Sequence, residues 1–298
     1  MGLTVRSSVG AMNYRHAFHA GNFADVVKHA VLARLLVHLG GKPAAYRLID
    51  THAGAGLYDL AGPEATRSGE WRAGIARVLA GIAGIATPAR TLLGPYLDVV
   101  TAHNPNGRLA VYPGSPALAA AIMRPQDRLV ACEREPNAAA ALTRNFAQDT
   151  RVKAIAIDGW TALNAYVPPK ERRGLVLVDP PFEAADDFAR LAQGLAAAHR
   201  KWATGIYALW YPIKARDEPN ALARRLVRSR IGKILRAEVD IALDPPRLCG
   251  CGLIVVNPPW MLAQDLETML PDLVRILAGA ERGAYRVDWL SREGQLRR

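Results

Sequence analysis

Residues 45–56 read AYRLIDTHAGAG, and this stretch decides how the chain is expected to fold. Its first half is a short apolar run that predicts a buried β-strand ending at Asp50. Its second half follows the pattern Asp-x-x-x-Gly-x-Gly, whose glycines permit a tight turn and a close approach of the backbone to a ligand. A strand that leads into such a loop is typical of nucleotide-binding α/β folds, although the pattern alone is weak.

Short apolar strands alternate with helical segments along the rest of the chain, which indicates an α/β fold with a mainly parallel sheet. Further strands are predicted at residues 127–133, 151–158, 174–179, 205–213, 235–243 and 252–257. A proline-rich turn joins the last two strands and favours an antiparallel hairpin there. We therefore predict a sheet of seven strands, mainly parallel, with an antiparallel hairpin at its C-terminal end.

Helical spacing of apolar residues predicts a helix before the first strand. Asn22 is a good N-cap, Asp25 lies in the first turn, and Gly40 and Gly41 end the helix. Further helices are predicted at residues 186–201 and near 217–230.

One long segment interrupts this alternation. More than fifty residues separate Gly56 from the helix expected at Ser115, a natural N-cap followed by Pro116. In a nucleotide-binding βαβ unit the loop leads directly into its helix. We predict a small helical insertion at about residues 60–108, which is either a structural buttress or a cap that grips the substrate. As a cap, it would contact phosphates through Arg67, Arg72, Arg77, Arg90 and Arg108.

Composition narrows the class of protein. The chain has 298 residues, of which 50% are hydrophobic, and a formal net charge of +11 that favours a polyanionic partner such as nucleic acid. Three cysteines do not suggest a disulfide framework and fit a reducing cytoplasm. No metal site is predicted, because Cys249-Gly250-Cys251 is too closely spaced for zinc. No apolar run is long enough to span a membrane.

The first eleven residues lack the apolar region of a secretory signal. We expect residues 1–11 to form a disordered tail and residues 12–298 to form one domain.

Acidic residues end consecutive strands of the predicted sheet. Glu133 ends the second strand, and Asp158, followed by Gly159, ends the third. Ligands bind at the carboxyl ends of such sheets. Glu133 would accept hydrogen bonds from ribose hydroxyls, and Asp158 with Gly159 would read an adenine.

The glycine loop favours a cofactor without phosphate. In the run from Gly54 to Asp59, an acid stands where the pyrophosphate of a dinucleotide would lie. S-adenosylmethionine fits this condition, and its zwitterionic amino-acid end suits both an acid, Asp50, and a base, Lys28. A dinucleotide oxidoreductase is a weaker alternative for the same reason.

Residues 174–182, GLVLVDPPF, end a buried strand with groups suited to methylating adenine. The lone pair of the exocyclic amine is delocalised into the ring, and two acceptors aimed at its hydrogens would free that pair for attack. Asp179 and the carbonyl of Pro180 supply such acceptors, and prolines add no competing N–H. Phe182 would stack on a flipped-out base, a contact worth about 1–3 kcal/mol.

A similar run, NPPW at residues 257–260, follows a later strand. Its place after the closing hairpin favours residues 179–182 as the catalytic motif. Trp260 is then expected to pack against the protein or to touch RNA.

The chain resembles the large-subunit ribosomal RNA adenine-N6 methyltransferase J family over about residues 12–290. The match extends well beyond the four-residue motif. The matching stretches are YRHAFHAGN (14–22), ADV (24–26), KH (28–29), DTHAGAG (50–56), YPGSP (112–116), DG (158–159), ATG (203–205), YALWYP (207–212) and NPPW (257–260).

The resemblance implies a Rossmann-like class I S-adenosylmethionine-dependent methyltransferase that modifies an adenine in 23S ribosomal RNA. Asp179 would be the catalytic acceptor, and Tyr14 would face the substrate adenine. Phe182 stands where the family often has tyrosine, so stacking is kept and a hydroxyl contact is lost. The implied cofactor contacts, with Lys28 nearby, are His29, His52, Ser115, Glu133, Asp158, Gly159 and Asp179.

We expect a cytoplasmic monomer that acts on free or partly assembled large-subunit RNA. Two alternatives stay open at this point. A DNA adenine-N6 methyltransferase shares the chemistry, although only the insertion is spare for target recognition. A non-catalytic RNA-binding protein on the same fold is the second alternative, and the intact row of strand-end acids argues against it.

Overall fold

The computed structural model describes residues 15–241, 248–279 and 282–292. Its strands are β1 (Arg47–Asp50), β2 (Leu57–Asp59), β3 (Val111–Pro113), β4 (Arg128–Glu133), β5 (Val152–Ala156), β6 (Gly174–Val178), β7 (Ile206–Ile213), β8 (Ile234–Asp240), β9 (Gly250–Val256) and β10 (Ala284–Ser291). Its α-helices are α1 (Phe23–Gly40), α2 (Pro63–Ser68), α3 (Glu70–Ala73), α4 (Ile75–Gly81), α5 (Thr87–Ala102), α6 (Ser115–Ile122), α7 (Pro136–Asn145), α8 (Gly159–Ala165), α9 (Asp187–Lys201), α10 (Asp217–Arg228) and α11 (Leu262–Ala278). Two short 3-10 helices cover His16–Phe18 and Ile82–Gly84.

The main sheet has the strand order β10-β8-β9-β7-β6-β1-β4-β5. The five strands from β7 to β5 pair in parallel. The β8–β9 hairpin and β10 add antiparallel pairs at the other end. The predicted Rossmann-like α/β class and the closing hairpin are therefore confirmed. The sheet also has a switch point, because β1 lies between β4 and β6, and a crevice forms at such a point outside the carboxyl ends of the strands.

The predicted count of seven strands is wrong, because β10 forms an eighth strand antiparallel to β8. Its sequence, AYRVDWLS, carries charges within the strand, and its first three residues are exposed, so it lacks an apolar run. Arg236 of β8 holds it with a forked pair of hydrogen bonds of 2.9 and 2.8 Å to Asp288. This cross-strand ion pair stabilises the pairing of β10, which the hydrophobic pattern of the sequence did not predict.

The two faces of the sheet carry separate apolar layers. In β6, Leu175 and Leu177 pack into the layer that contains α1, α5, α6 and α11, while Val176 and Val178 face α9 and α10. This alternation follows from the two-residue period of a strand. It also explains why a strand covered on both faces reads as a continuous apolar run.

Helix α1 begins as predicted. The Asn22 side chain accepts a hydrogen bond from the Asp25 amide at 2.9 Å, which is the N-cap arrangement. The helix is buried on nearly every side, so residues that would normally face water, including Lys28 and His29, lie inside the protein.

Helices α2 to α5 occupy most of the segment predicted as a helical insertion. The strands β2 and β3 flank the segment and pair with each other antiparallel. Helix α5 packs on α1 and α11, so this segment shares the layer of helices on one face of the sheet. Among the described residues, no helix is both long and apolar enough to cross a bilayer.

Candidate active site

A cavity of about 610 Å³ opens at the carboxyl ends of the central strands. This volume lies within the range of about 300–1,000 Å³ that is common for small-molecule sites. All of the residues that the family resemblance places at the cofactor line its wall. They are Lys28, His29, His52, Ser115, Glu133, Asp158, Gly159 and Asp179.

Asp179 follows β6 and is ion-paired to Lys28, which comes from α1. The Lys28 Nζ lies 2.5 Å from Asp179 Oδ2 and 2.8 Å from Asp25 Oδ1. Asp25 in turn bonds His16 Nε2 at 3.0 Å and the Gly21 amide at 3.0 Å. A buried cation thus joins two carboxylates at the wall of the cavity.

Electrostatics keep Lys28 and Asp25 ionised. Burial alone would lower the pKa of Lys28, but Asp179 and Asp25 raise that pKa well above its ordinary value. Burial alone would raise the pKa of Asp25, but His16 and Lys28 hold it well below its ordinary value. Lys28 is therefore a permanent cation that orients the Asp179 carboxylate.

Glu133 already holds the glycine loop after β1 and the turn that follows β4. Its Oε2 accepts the Gly54 amide at 2.8 Å, and its Oε1 accepts the amides of Arg134 and Glu135 at 2.7 Å each. A carboxylate has about four acceptor positions. Three are occupied by backbone donors, so about one remains for a ligand hydroxyl.

Asp158 and Gly159 form the start of α8. The Asp158 side chain accepts the Thr161 amide at 2.9 Å as an N-cap. A Cβ at Gly159 would lie 2.4 Å from both His52 Nε2 and the Thr51 carbonyl oxygen, so only glycine fits there. Burial lowers the pKa of His52 to about 4, which leaves that ring neutral at the cavity wall.

Asp50 and Ser115 contact each other at the cavity wall. Gly114 is the N-cap of α6, and Ser115 is its first residue, so the predicted Ser115 cap is wrong. The Ser115 hydroxyl donates to Asp50 Oδ2 at 2.6 Å. Asp50 is fully buried behind the wall, and burial raises its pKa to about 6.

Pro181 and Phe182 of the DPPF motif lie in different surroundings. Pro181 lines the cavity, whereas the half-buried Phe182 ring packs 4.8 Å from Phe188 and 5.9 Å from Trp210, measured between ring centroids. Phe182 has a left-handed backbone with φ of 51°. Tyr14, predicted to face the substrate, lies outside the described residues, as does the predicted tail at 1–11.

The NPPW run lies at the opposite edge of the sheet. Tyr207 at the start of β7 pairs with Val256 at the end of β9, so β9 ends beside the amino ends of the parallel strands. Trp260 is 82% exposed, so it does not pack against the protein, and the other expected role, contact with RNA, stays a prediction. This topology separates Asn257 from the cavity and supports the choice between the two motifs.

Sequence reasoning missed several residues at the cavity. The sequence pattern places Asp25 only in the first turn of α1 and indicates no role for His16, yet both belong to the ion-pair cluster. Trp160 and Arg190 also line the cavity and contact each other, with the guanidinium carbon 4.8 Å from the ring centroid. The signal for Trp160 was its place directly after Asp158-Gly159.

The strand order, the switch-point cavity and the strand-end acids define a Rossmann-like class I methyltransferase. The family model described as "Ribosomal RNA large subunit methyltransferase D, RlmJ" matches residues 43–291. The chain belongs to this RsmJ/RlmJ family, which confirms the resemblance seen in the sequence.

Individual relatives agree with this assignment. "Ribosomal RNA large subunit methyltransferase J" of Escherichia coli (strain K12) is 40% identical over 281 residues, covering 94% of this chain and 99% of that protein. Its namesake from Haemophilus influenzae is 35% identical over 285 residues, covering 95% and 100%. The crystal structure of protein LPL1258 from Legionella pneumophila is 31% identical with a TM-score of 0.84, covering 91% and 98%.

Proposed function

We propose that this chain transfers a methyl group from S-adenosylmethionine to N6 of an adenine in 23S ribosomal RNA. The observation that carries the proposal is the position of Asp179: its carboxylate lies at the end of the central strand β6, in the wall of a cavity shared with Glu133 and Asp158. Family membership favours ribosomal RNA over DNA, and the related proteins named above carry that substrate in their names.

The donor set of the cavity fits S-adenosylmethionine. Glu133 has about one acceptor position left for a ribose hydroxyl. His29 Nε2 is buried and has no hydrogen-bond partner among the described residues, so it can serve a polar group of a ligand. Asp158, Gly159 and His52 would surround the adenine. When bound, the cofactor supplies an electrophilic methyl group carried on a sulfonium sulfur.

Asp179 and Pro180 would orient the amine of the substrate. Asp179 Oδ2 is held by Lys28, while Oδ1 has no hydrogen-bond partner in the described part of the chain. The Pro180 carbonyl likewise accepts no hydrogen bond from the described residues. These two oxygens can accept the two amine hydrogens, which turns the nitrogen lone pair out of the ring for attack.

Lys28 and Asp25 would fix the catalytic carboxylate. The Lys28 cation limits the rotation of the Asp179 carboxylate, because one oxygen remains bonded to Nζ. Asp25 shares that cation and is itself anchored by the Gly21 amide. The acceptor is thus positioned before the substrate arrives, which is how preorganised sites gain rate.

Two groups of side chains are proposed to contact the RNA: aromatic residues at the target base and arginines of the helical segment. Phe182 would stack on the flipped-out base through the part of its ring that stays exposed, and Tyr14 would face the same base. The five arginines predicted for the helical segment are all exposed, as phosphate contacts require. Arg77 also donates to the Leu277 carbonyl at 2.8 Å, so it has a structural role besides.

The test is transfer of tritiated methyl groups to protein-free large-subunit RNA, with duplex DNA in parallel. We expect label in RNA as N6-methyladenosine, and a loss of about 100-fold or more for Asp179→Ala, a typical effect of removing a preorganised group. The matched control is Asp186→Ala, which removes an exposed acid outside the cavity wall. Label found only in DNA, or full RNA methylation by Asp179→Ala, would contradict the proposal. Cofactor binding without any transfer by the unaltered protein would favour the non-catalytic alternative.

A further inference from the structure

Three buried side chains form a hydrogen-bonded row that ends at the cavity. The Tyr96 hydroxyl lies 3.0 Å from the Tyr112 hydroxyl, which lies 2.7 Å from His29 Nδ1. All three residues are fully buried. The His29 ring also stacks on Tyr112 at an interplanar angle of 27°, so its orientation is fixed. The other ring nitrogen, Nε2, has no partner among the described residues, and His29 lines the cavity.

One arrangement of the protons pairs both hydroxyls and His29 Nδ1 and leaves the single unmade donor, Nε2–H, at the cavity, where a ligand can accept it. Among the described residues, the Tyr96 hydroxyl has one hydrogen-bond partner, the Tyr112 hydroxyl. Tyr96 must therefore donate its proton to Tyr112, or that buried proton has no acceptor. Leaving that hydrogen bond unmade costs about 1–3 kcal/mol. Tyr112 then has to direct its own proton to His29 Nδ1. That nitrogen is therefore an acceptor, and the proton of the neutral ring lies on Nε2.

We propose that Tyr112 is a positioning residue that holds His29 as the Nε2–H tautomer, so that the cavity presents a hydrogen-bond donor to the methyl donor. Tyr96 sets the direction of the Tyr112 hydroxyl. The inference rests on the proposed function, because it assigns the ligand of His29 within the S-adenosylmethionine site. The only anionic group of that cofactor is its carboxylate, which is the acceptor that an N–H donor would favour.

The ring is neutral under working conditions, which makes the tautomer decisive. Burial lowers the pKa of His29 to about 3, with Lys28 also lowering it and Asp25 opposing the effect. A neutral imidazole donates through only one nitrogen. The opposite tautomer would point a lone pair at the cavity and repel a carboxylate.

The experiment uses protein with ¹⁵N-labelled histidine and no cofactor. Long-range ¹H–¹⁵N correlation spectra should show His29 as the Nε2–H tautomer, and Tyr112→Phe should shift it toward a mixture. Titration calorimetry with S-adenosylhomocysteine should show about 10-fold weaker binding for Tyr112→Phe, the effect of one hydrogen bond to a charged group. The decarboxylated ligand should bind the two proteins nearly equally.

The matched control is Tyr46→Phe, another fully buried tyrosine, whose hydroxyl has no partner in the described chain. It should change neither the tautomer nor the affinity. An Nδ1–H ring in the unaltered protein, or an unchanged tautomer and affinity in Tyr112→Phe, overturns the inference. The spectra need neither RNA nor turnover, so they test the tautomer independently of methylation. The tautomer prediction can therefore be refuted while the Asp179 methylation assay gives the expected result, and the methylation assay can be negative while the tautomer is as expected.

A second inference concerns the arm formed by residues 257–260. Asn257 Nδ2 donates to the carbonyls of Ala203 and Gly205 at 2.8 Å each, and its amide donates to the Lys233 carbonyl at 2.9 Å. Two prolines follow, and Pro259 is buried. These contacts hold the arm rigidly while Trp260 stands 82% exposed.

Basic residues lie close in the sequence to the residues that hold this arm. Arg228 ends α10, Arg230 follows in the turn that leads to Lys233, and Arg200 lies near the end of α9, just before Ala203. The side chains of Arg200, Arg228 and Arg230 are exposed, and no carboxylate of the described residues lies within ion-pair distance of them. A rigid exposed aromatic ring at the same end of the sheet as exposed arginines suits nucleic acid, because bases stack and phosphates are neutralised.

We infer that Trp260 and these arginines form a second RNA contact at the sheet edge opposite the catalytic cavity. Its occupant is an unpaired segment of the substrate RNA that extends beyond the target base. This inference also rests on the proposed function, since it adds a contact for the same substrate. A contact so far from the cavity would raise affinity for long RNA without touching the cofactor.

Electrophoretic or fluorescence titration with long and short RNA tests this contact. We expect Trp260→Ala to bind a long large-subunit fragment about 5-fold or more weakly, a loss within the usual range for one stacked base, and Trp260→Phe to bind nearly as the unaltered protein does. Affinity for S-adenosylhomocysteine should not change. Tyr285→Ala removes another exposed aromatic side chain, 44% exposed on β10, and should leave RNA affinity unchanged. Equal RNA affinity of Trp260→Ala and the unaltered protein overturns the inference, even if a protein is found to bind at Trp260.

Discussion

Replacing Lys28 with methionine tests the buried ion-pair cluster that positions Asp179. The substitution removes a cation that is 4% exposed and lies 2.5 and 2.8 Å from two carboxylates. Breaking a buried pair costs about 3–5 kcal/mol because a charge is left uncompensated. We expect the lower end, about 3 kcal/mol, since Asp179 can draw on water in the cavity and Asp25 keeps its bonds to His16 and Gly21.

The assay is urea unfolding at several pH values. In the unaltered protein, the depressed pKa of Asp25 contributes stability that is present above its unfolded value and is lost as the pH falls through the folded one. In Lys28→Met that contribution shrinks, so the deficit keeps its full size from pH 7 down to about 4, near the unfolded pKa of the carboxyl, and narrows only below that pH. Lys28→Met/Asp25→Asn should recover part of the loss, and Lys42→Met, at an exposed loop position, should stay within about 0.5 kcal/mol. A deficit below about 1 kcal/mol, or one that grows toward acid, would refute this reasoning.

Other substitutions probe the remaining walls of the site. Gly159→Ala should weaken S-adenosylhomocysteine binding at least about 10-fold in calorimetry, because its Cβ would lie 2.4 Å from the Thr51 carbonyl oxygen; near-normal affinity would contradict the close packing described. Asp50→Asn should gain stability relative to the unaltered protein as the pH rises from 4 to 7. The raised folded pKa of about 6 makes the ionised acid costly by about 2–3 kcal/mol, so parallel stability curves would argue against it. Asn257→Ala should lower the free energy of unfolding by about 0.5–1.5 kcal/mol, since one exposed and one part-buried hydrogen bond are lost, and should leave cofactor affinity intact; a loss of cofactor affinity would contradict the separation of the NPPW run from the cavity.

Patterns with a local cause were predictable from the sequence. The run GLVLV of β6 is buried at every position, and Asn22 caps α1 as its spacing indicates. The strand-end acids Glu133 and Asp158 reach one cavity because parallel strands end at one edge of a sheet.

What the sequence did not reveal depends on distant contacts. Lys28 and Asp179 are 151 residues apart, and no local pattern indicates that α1 places its lysine at the end of β6. The strand β10 is held by the ion pair between Arg236 and Asp288 instead of an apolar stripe. Serine is a common N-cap residue, but the Ser115 hydroxyl donates its hydrogen bond to the buried Asp50 carboxylate instead of capping α6.

The measurement that tests the central claim most directly is a crystal structure of the protein with S-adenosylhomocysteine and adenosine. We expect the cofactor sulfur in the cavity at the ends of β1, β4 and β6, facing an adenine amine that donates to Asp179 Oδ1 and to the Pro180 carbonyl. A sulfur bound away from Asp179, out of reach of any base held there, would contradict the account.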